Sequence, residues 1–118
     1  MNEPSIWWRV AGVAGALGVL LGAFGAHGLR SVVADPHLLE VWETAARYHL
    51  LHTLALCAVA LHPARPRVAG ALFVAGIVIF SGSLYALVLT GVGVLGAITP
   101  IGGLAFVGGW LALGFARG

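Results

Sequence analysis

Three histidines stand among apolar residues in this chain: His27 within G-A-F-G-A-H-G-L from Gly22 to Leu29, and His49 and His52 within W-E-T-A-A-R-Y-H-L-L-H from Trp42 to His52. Neutral imidazoles ligate copper or zinc, and they change charge near physiological pH, so metal binding and proton handling are the chemistries these residues could perform. His49 and His52 are three apart and on a helix can present both rings in one direction. Glu40 and Tyr48 are the neighbours able to orient such rings as supporting groups. A second polar set lies in F-S-G-S-L-Y from Phe80 to Tyr85. Ser81 and Tyr85 are four apart and share a helical face, whereas Ser83 points elsewhere.

Several familiar chemistries are excluded by the residues beside these groups. A zinc hydrolase of the zincin type needs H-E-x-x-H with glutamate as base, and here the pair reads Y-H-L-L-H. No Ser-His-Asp order and no glycine-rich phosphate loop follows a strand pattern. The single cysteine, Cys57, sits in an apolar run and can build neither a disulfide framework nor a multi-cysteine metal site. H-x-x-H alone is a weak metal signal, so the metal is left unknown and no cofactor is expected, with metal or haem as the exception to test. The leading reading of the histidines is structural, because buried polar groups are nearly always hydrogen-bonded and a buried imidazole commonly fastens two helices. Serines within apolar helices usually bond a carbonyl one turn back or bridge helices. His37 and His62 stand at the two ends of a helical pattern and read as interfacial, and Trp110 reads as packing.

Those residues need a lipid-compatible frame. Sixty per cent of the chain is hydrophobic and only 8% charged, with a mean hydropathy of +1.02, against about 25% charged residues in a soluble globule. The expected class is therefore an all-α integral membrane protein. Its 118 residues suit one domain, a bundle of four transmembrane helices. Six arginines and no lysine against four acids are spread thinly, which excludes the basic stripe of a nucleic-acid-binding protein. The first apolar segment lacks a small-residue cleavage site ahead of a polar mature domain and reads as a retained span.

The first span is expected over about residues 7–29, opened by the interfacial anchors Trp7, Trp8 and Arg9. Ala11, Gly15, Gly18, Gly22 and Gly25 alternate steps of four and three, which lines them along one side as a helix-packing seam. Asp35-Pro36 is a cap followed by proline in the first turn, so a second helix should run over 36–61. Its first half carries Glu40, Glu43, Thr44 and Arg47 and should extend beyond the membrane, with the span proper over 48–61. His62-Pro63-Ala64-Arg65-Pro66-Arg67 breaks the chain. Third and fourth spans follow over about 68–90 and 101–115, the last with Pro100 in its first turn and Thr99 as its cap. Gly102-Gly103 and Gly108-Gly109 suggest another close helix contact.

Four spans put the two ends of the chain and the Pro63 loop on one side, with Arg9, Arg65, Arg67 and Arg117. The other side has Arg30 and Arg47 against Asp35, Glu40 and Glu43. The positive-inside rule then places both termini in the cytoplasm, and the Ala/Gly/Leu/Val-heavy, lysine-free usage suggests a bacterial plasma membrane. His49 would lie about 20 Å of helix from the inner end of its span, in the outer leaflet. In a hairpin of the first two helices, His27 could meet His49 and His52.

The motifs G-A-F-G-A-H-G-L, W-E-T-A-A-R-Y-H-L-L-H, F-S-G-S-L-Y and T-P-I-G-G, the last from Thr99 to Gly103, resemble those of the YgdD-like small membrane proteins. That family of unknown function includes bacterial inner-membrane proteins and eukaryotic relatives similar to transmembrane protein 256. The resemblance covers nearly the whole chain and implies a four-span membrane protein, without implying any activity or catalytic residue. The expected function is accordingly that of a non-enzymatic accessory or assembly protein, a homo-oligomer or part of a larger membrane complex in the lipid bilayer. The alternatives are a small oligomeric transporter or channel for protons or metal ions using the outer-leaflet histidines, and a haem- or copper-binding membrane protein.

Overall fold

A computed structural model describes residues 5–117 as four long helices joined by short connections. Helix α1, Ile6–Ala26, starts where the Ser5 hydroxyl accepts a hydrogen bond from the Trp7 amide at 3.2 Å. Helix α2, Pro36–Leu61, starts where the Asp35 carboxylate accepts from the His37 amide at 2.9 Å and proline occupies the first turn, where no N–H is missed. It ends at His62, whose ring Nδ1 accepts from the Ala64 amide. Helix α3, Arg67–Thr90, contains one π-helical turn over Ile77–Ser81 and ends at Gly91, which takes a left-handed φ of 74° that suits glycine. Helix α4 is Thr99–Gly114.

Two boundaries differ from the sequence expectation. The first helix stops at Ala26 rather than Leu29, because the chain leaves the α conformation at His27 and tightens into a 3₁₀ turn over Gly28–Ser31. That turn carries Leu29 back between Trp42 and Val88, where it is wholly buried. Thr99 is the first residue of α4 and not its cap. The 3₁₀ segment Gly93–Ala97 delivers the chain to α4 through Ile98 in a helical conformation, so no extended capping residue exists there.

Consecutive helices run antiparallel. Gly15 faces Thr53 and Gly25 faces Trp42 across α1 and α2, His52 meets Phe73 across α2 and α3, and Gly109 meets Phe73 while Gly102 meets Phe80 across α3 and α4. The result is a flattened body of 51 × 27 × 15 Å. Three segments, Ile6–Ser31, Arg67–Thr90 and Gly93–Gly114, are long and apolar enough to cross a membrane. Helix α2 does not join them on composition, because Glu40, Glu43 and Arg47 occupy its first half. It is nevertheless the enclosed element: Trp42, Ala45, Ala46, His49, His52, Thr53, Ala55, Leu56, Val59 and Ala60 are all buried. Large apolar side chains face outward instead, Leu20 at 66% exposure and Leu104 at 72% among them. A soluble protein would invert that arrangement, whereas hydrocarbon makes it favourable.

Small residues set the helix spacing. A methyl group added at Gly18 would lie 2.6 Å from Leu50 Cδ2, and one at Gly25 would lie 2.6 Å from Trp42 Nε1. At Gly102 it would meet the Phe80 backbone itself, 2.7 Å from the Cα, so α3 and α4 touch main chain to main chain beside the π turn. Gly22 departs from the expected seam and has open space where its neighbours have contacts. Gly22 instead lines a cleft of about 630 Å³ that it shares with Arg30, Glu40, Glu43 and Arg47.

Candidate functional site

The polar side chains of α2 and α3 resolve into hydrogen-bonded links between helices. His49, 4% exposed, donates from Nε2 to the Ala14 carbonyl of α1 at 2.8 Å and accepts at Nδ1 from the Tyr85 hydroxyl of α3 at 3.0 Å. His52, 5% exposed, donates from Nδ1 to the Tyr48 carbonyl at 2.7 Å and accepts at Nε2 from the Trp110 indole N–H of α4 at 3.0 Å. A carbonyl can only accept and an indole N–H can only donate, so these partners assign opposite tautomers to the two rings, each using both nitrogens. One imidazole thus ties α2 to α1 and α3, and the other ties α2 to α4.

Both rings are also packed edge and face. His52 stacks on Phe106 with centroids 3.6 Å apart and only 10° between planes, and Phe73 and Trp110 close around it. The His49 ring lies 6.0 Å from that of Tyr85, which in turn lies 4.6 Å from Trp42 by ring centroids. These contacts hold the imidazoles in the orientations their hydrogen bonds require, and such aromatic pairs contribute about 0.5–1.5 kcal/mol beyond area burial.

Ser81 is completely buried in the π turn and donates to the Ala45 carbonyl of α2 at 2.7 Å. Ser83 bonds the Phe80 carbonyl at 3.0 Å and the Thr99 hydroxyl at 2.6 Å, which ties α3 to the start of α4. Among the described residues no buried side-chain nitrogen or oxygen lacks a hydrogen-bond partner. That full satisfaction matters in a bilayer, where an orphaned polar group has no water to turn to.

The three histidines do not converge. His27 is exposed at the end of α1, while His49 bonds Ala14, thirteen positions earlier, or about 20 Å along the helix. The expected meeting of His27 with the other two is therefore corrected. His49 and His52 also turn away from one another, because three residues on a helix leave a 60° offset and each ring finds a different neighbouring helix. Among the described residues no group of three His, Cys, Asp or Glu side chains could hold a metal ion. Glu40 is exposed on the cleft wall and takes no part in the network, and Tyr48 contributes its carbonyl to His52 and its ring to Phe80, 4.8 Å away.

Two residues in this network have hydrogen-bonding roles that the sequence does not assign, Trp110 reading there as packing alone. Trp42 donates from Nε1 to the Leu21 carbonyl at 2.8 Å while lying over Gly25, and Trp110 completes the His52 bonds. The available signal was the indole N–H itself, which in an apolar setting must find an acceptor.

Residues 21–103 match a family described as a protein of unknown function, DUF423. A UPF0382 membrane protein of Schizosaccharomyces pombe is 46% identical over 113 residues, covering 90% of this chain and 96% of its own length. The UPF0382 membrane protein YwdK of Bacillus subtilis is 48% identical over 103 residues, covering 82% and 83%. A UPF0382 membrane protein of Staphylococcus aureus is 48% identical over 109 residues, covering 86% and 88%. No solved structure is detectably similar.

Proposed function

The chain belongs to the DUF423 family of membrane proteins of unknown function, and from that premise we propose that it is a non-enzymatic accessory or assembly protein of the bilayer, acting by packing against copies of itself or a larger membrane complex. The observation that carries this reading is the saturation of the polar network. Every ring nitrogen of His49 and His52 is engaged, three of the four with a neighbouring helix and His52 Nδ1 with the Tyr48 carbonyl of its own helix. A metal site needs a free lone pair, and a proton pathway needs a group able to exchange partners along a wet route. Transport and haem or copper binding therefore draw no support from these residues, and the chemistry of the core is that of a fastened scaffold.

The same reading takes all four helices as spans. The half of α2 from Tyr48 to Leu61 packs at the depth of α1 and α3, with Leu56 and Val59 in one core cluster with Ala11 and Phe73. Its charged half projects toward the end that holds Arg30 and Asp35. Four of the six arginines then gather at the opposite end, which the positive-inside rule makes cytoplasmic, together with both chain ends. In a bacterium this membrane would be the plasma membrane.

Cross-linking in native membranes, followed by mass measurement of the protein extracted in mild detergent, tests the proposal. A discrete oligomer or a stoichiometric complex is the expected result. A strict monomer that captures no partner would refute it.

A further inference from the structure

Helices α1 and α3 straddle α2, meeting where the Trp7 ring lies over Gly70, and leave a groove of about 400 Å³ between them. Val10, Val13, Ala14 and Leu17 of α1 form one wall, and Val74, Ile77 and Val78 of α3 form the other. Its floor is Leu56 and the ring of His49. Because both nitrogens of that ring are taken by Ala14 and Tyr85, the floor presents carbon to the groove. The volume falls within the ~300–1,000 Å³ of small-molecule sites. Its length along α1, from Val10 to Leu17, is about 10 Å, a fair part of the ~15 Å half-thickness of a hydrocarbon core.

One charged residue borders this hydrocarbon lining: Arg9, exposed at the end of the groove nearest the start of α1, next to Trp8. Arg65, Arg67 and Arg117 lie at the same end of the bundle. An apolar trough with one exposed arginine at its end matches an acyl chain continuous with a phosphate at headgroup level, since guanidinium donors fit phosphate oxygens bidentately.

We propose that the α1–α3 groove is a binding site for one anionic glycerophospholipid, with an acyl chain against Val13, Ala14, Ile77 and Val78 and the phosphate at Arg9. The site runs from the arginine-rich end toward the middle of the bundle, where His49 lies level with Ala14, deeper than the outer-leaflet position expected for it. It discriminates by headgroup charge, because the trough accepts any chain and only its mouth reads the lipid.

The full chain is reconstituted in nanodiscs of equal phosphatidylglycerol and phosphatidylcholine, released into mild detergent, and its retained lipid counted by native mass spectrometry. One retained lipid per chain, about five-fold enriched in phosphatidylglycerol, is expected, the factor equivalent to about 1 kcal/mol for one arginine at an anionic surface. Arg9→Gln should bring the two lipids to equal retention, while Arg117→Gln leaves the enrichment in place. Val13→Trp, at a side chain that is 63% exposed, should displace both lipids. Equal retention by the wild type, or equal loss of enrichment in Arg9→Gln and Arg117→Gln, would overturn the proposal, the second outcome showing diffuse attraction to the arginine-rich end instead.

Discussion

The bond from Trp110 to His52 allows the fastening role to be measured directly. His52→Phe keeps a ring of similar size stacked on Phe106 but removes the acceptor at Nε2, while Trp110→Phe keeps an aromatic edge against Phe73, now 5.2 Å away by centroids, and removes the donor. Interhelical hydrogen bonds in membranes contribute about 0.6 kcal/mol on average and up to about 1.7. This one is buried at its acceptor and competes with hydrocarbon rather than water, so the coupling in the double-mutant cycle should lie at about 1–1.5 kcal/mol. His52→Phe alone should cost about 1–2 kcal/mol, because it also leaves the Trp110 N–H without an acceptor. His52→Ala should cost about 3–5 kcal/mol, in the range of emptying a buried aromatic site. Reversible unfolding in mixed micelles, followed by helical circular dichroism, yields the four free energies. A coupling no larger than the ~0.3–0.5 kcal/mol scatter of independent sites would refute the reasoning that His52 fastens α2 to α4.

Other outcomes follow from the same contacts. Gly102→Ala should destabilise by about 1–3 kcal/mol, since its methyl meets the Phe80 backbone, which cannot step aside, whereas Gly22→Ala, in open space, should be neutral or raise the unfolding midpoint; equal effects at both sites would place the helix contacts wrongly. Ser81→Ala should lower stability by about 1 kcal/mol by freeing the Ala45 carbonyl from its second partner, measured by the same unfolding assay. The ion pair of Arg47 with Glu43 spans 3.2 Å at 58% and 72% exposure, so Glu43→Gln should change the unfolding midpoint by less than the error of measurement. Chelator treatment should leave the thermal midpoint unmoved, and elemental analysis of wild type and His49→Ala should agree; stoichiometric metal lost in the mutant would contradict the saturated network.

Much of the scaffold is legible in the residues themselves. Hydropathy and the scarcity of charge place the chain in a membrane, Asp35-Pro36 marks the start of α2, and the proline- and arginine-rich turn after His62 marks its end. These are local properties: a cap, a fixed φ, or a run of apolar side chains acts over one or two turns and needs no distant partner. The period of the helix likewise shows that Gly15, Gly18 and Gly25 share a side.

Which residues meet across helices was decided only by the tertiary structure. A helical period states that His49 and His52 are near neighbours on α2 but not that the 60° between them points one to α1 and the other to α4. It states that Gly22 belongs to the seam, yet in the bundle that glycine faces a cleft while Gly18 and Gly25 on either side meet Leu50 and Trp42. The placement of charged α2 in the middle of apolar helices, the contact of Gly102 with the backbone of the π turn, and the distance of His27 from the network all depend on rotations and offsets between helices. Those are settled by the summed packing of side chains distant in sequence and by the need of every buried N–H and hydroxyl for an acceptor, terms that no single segment contains.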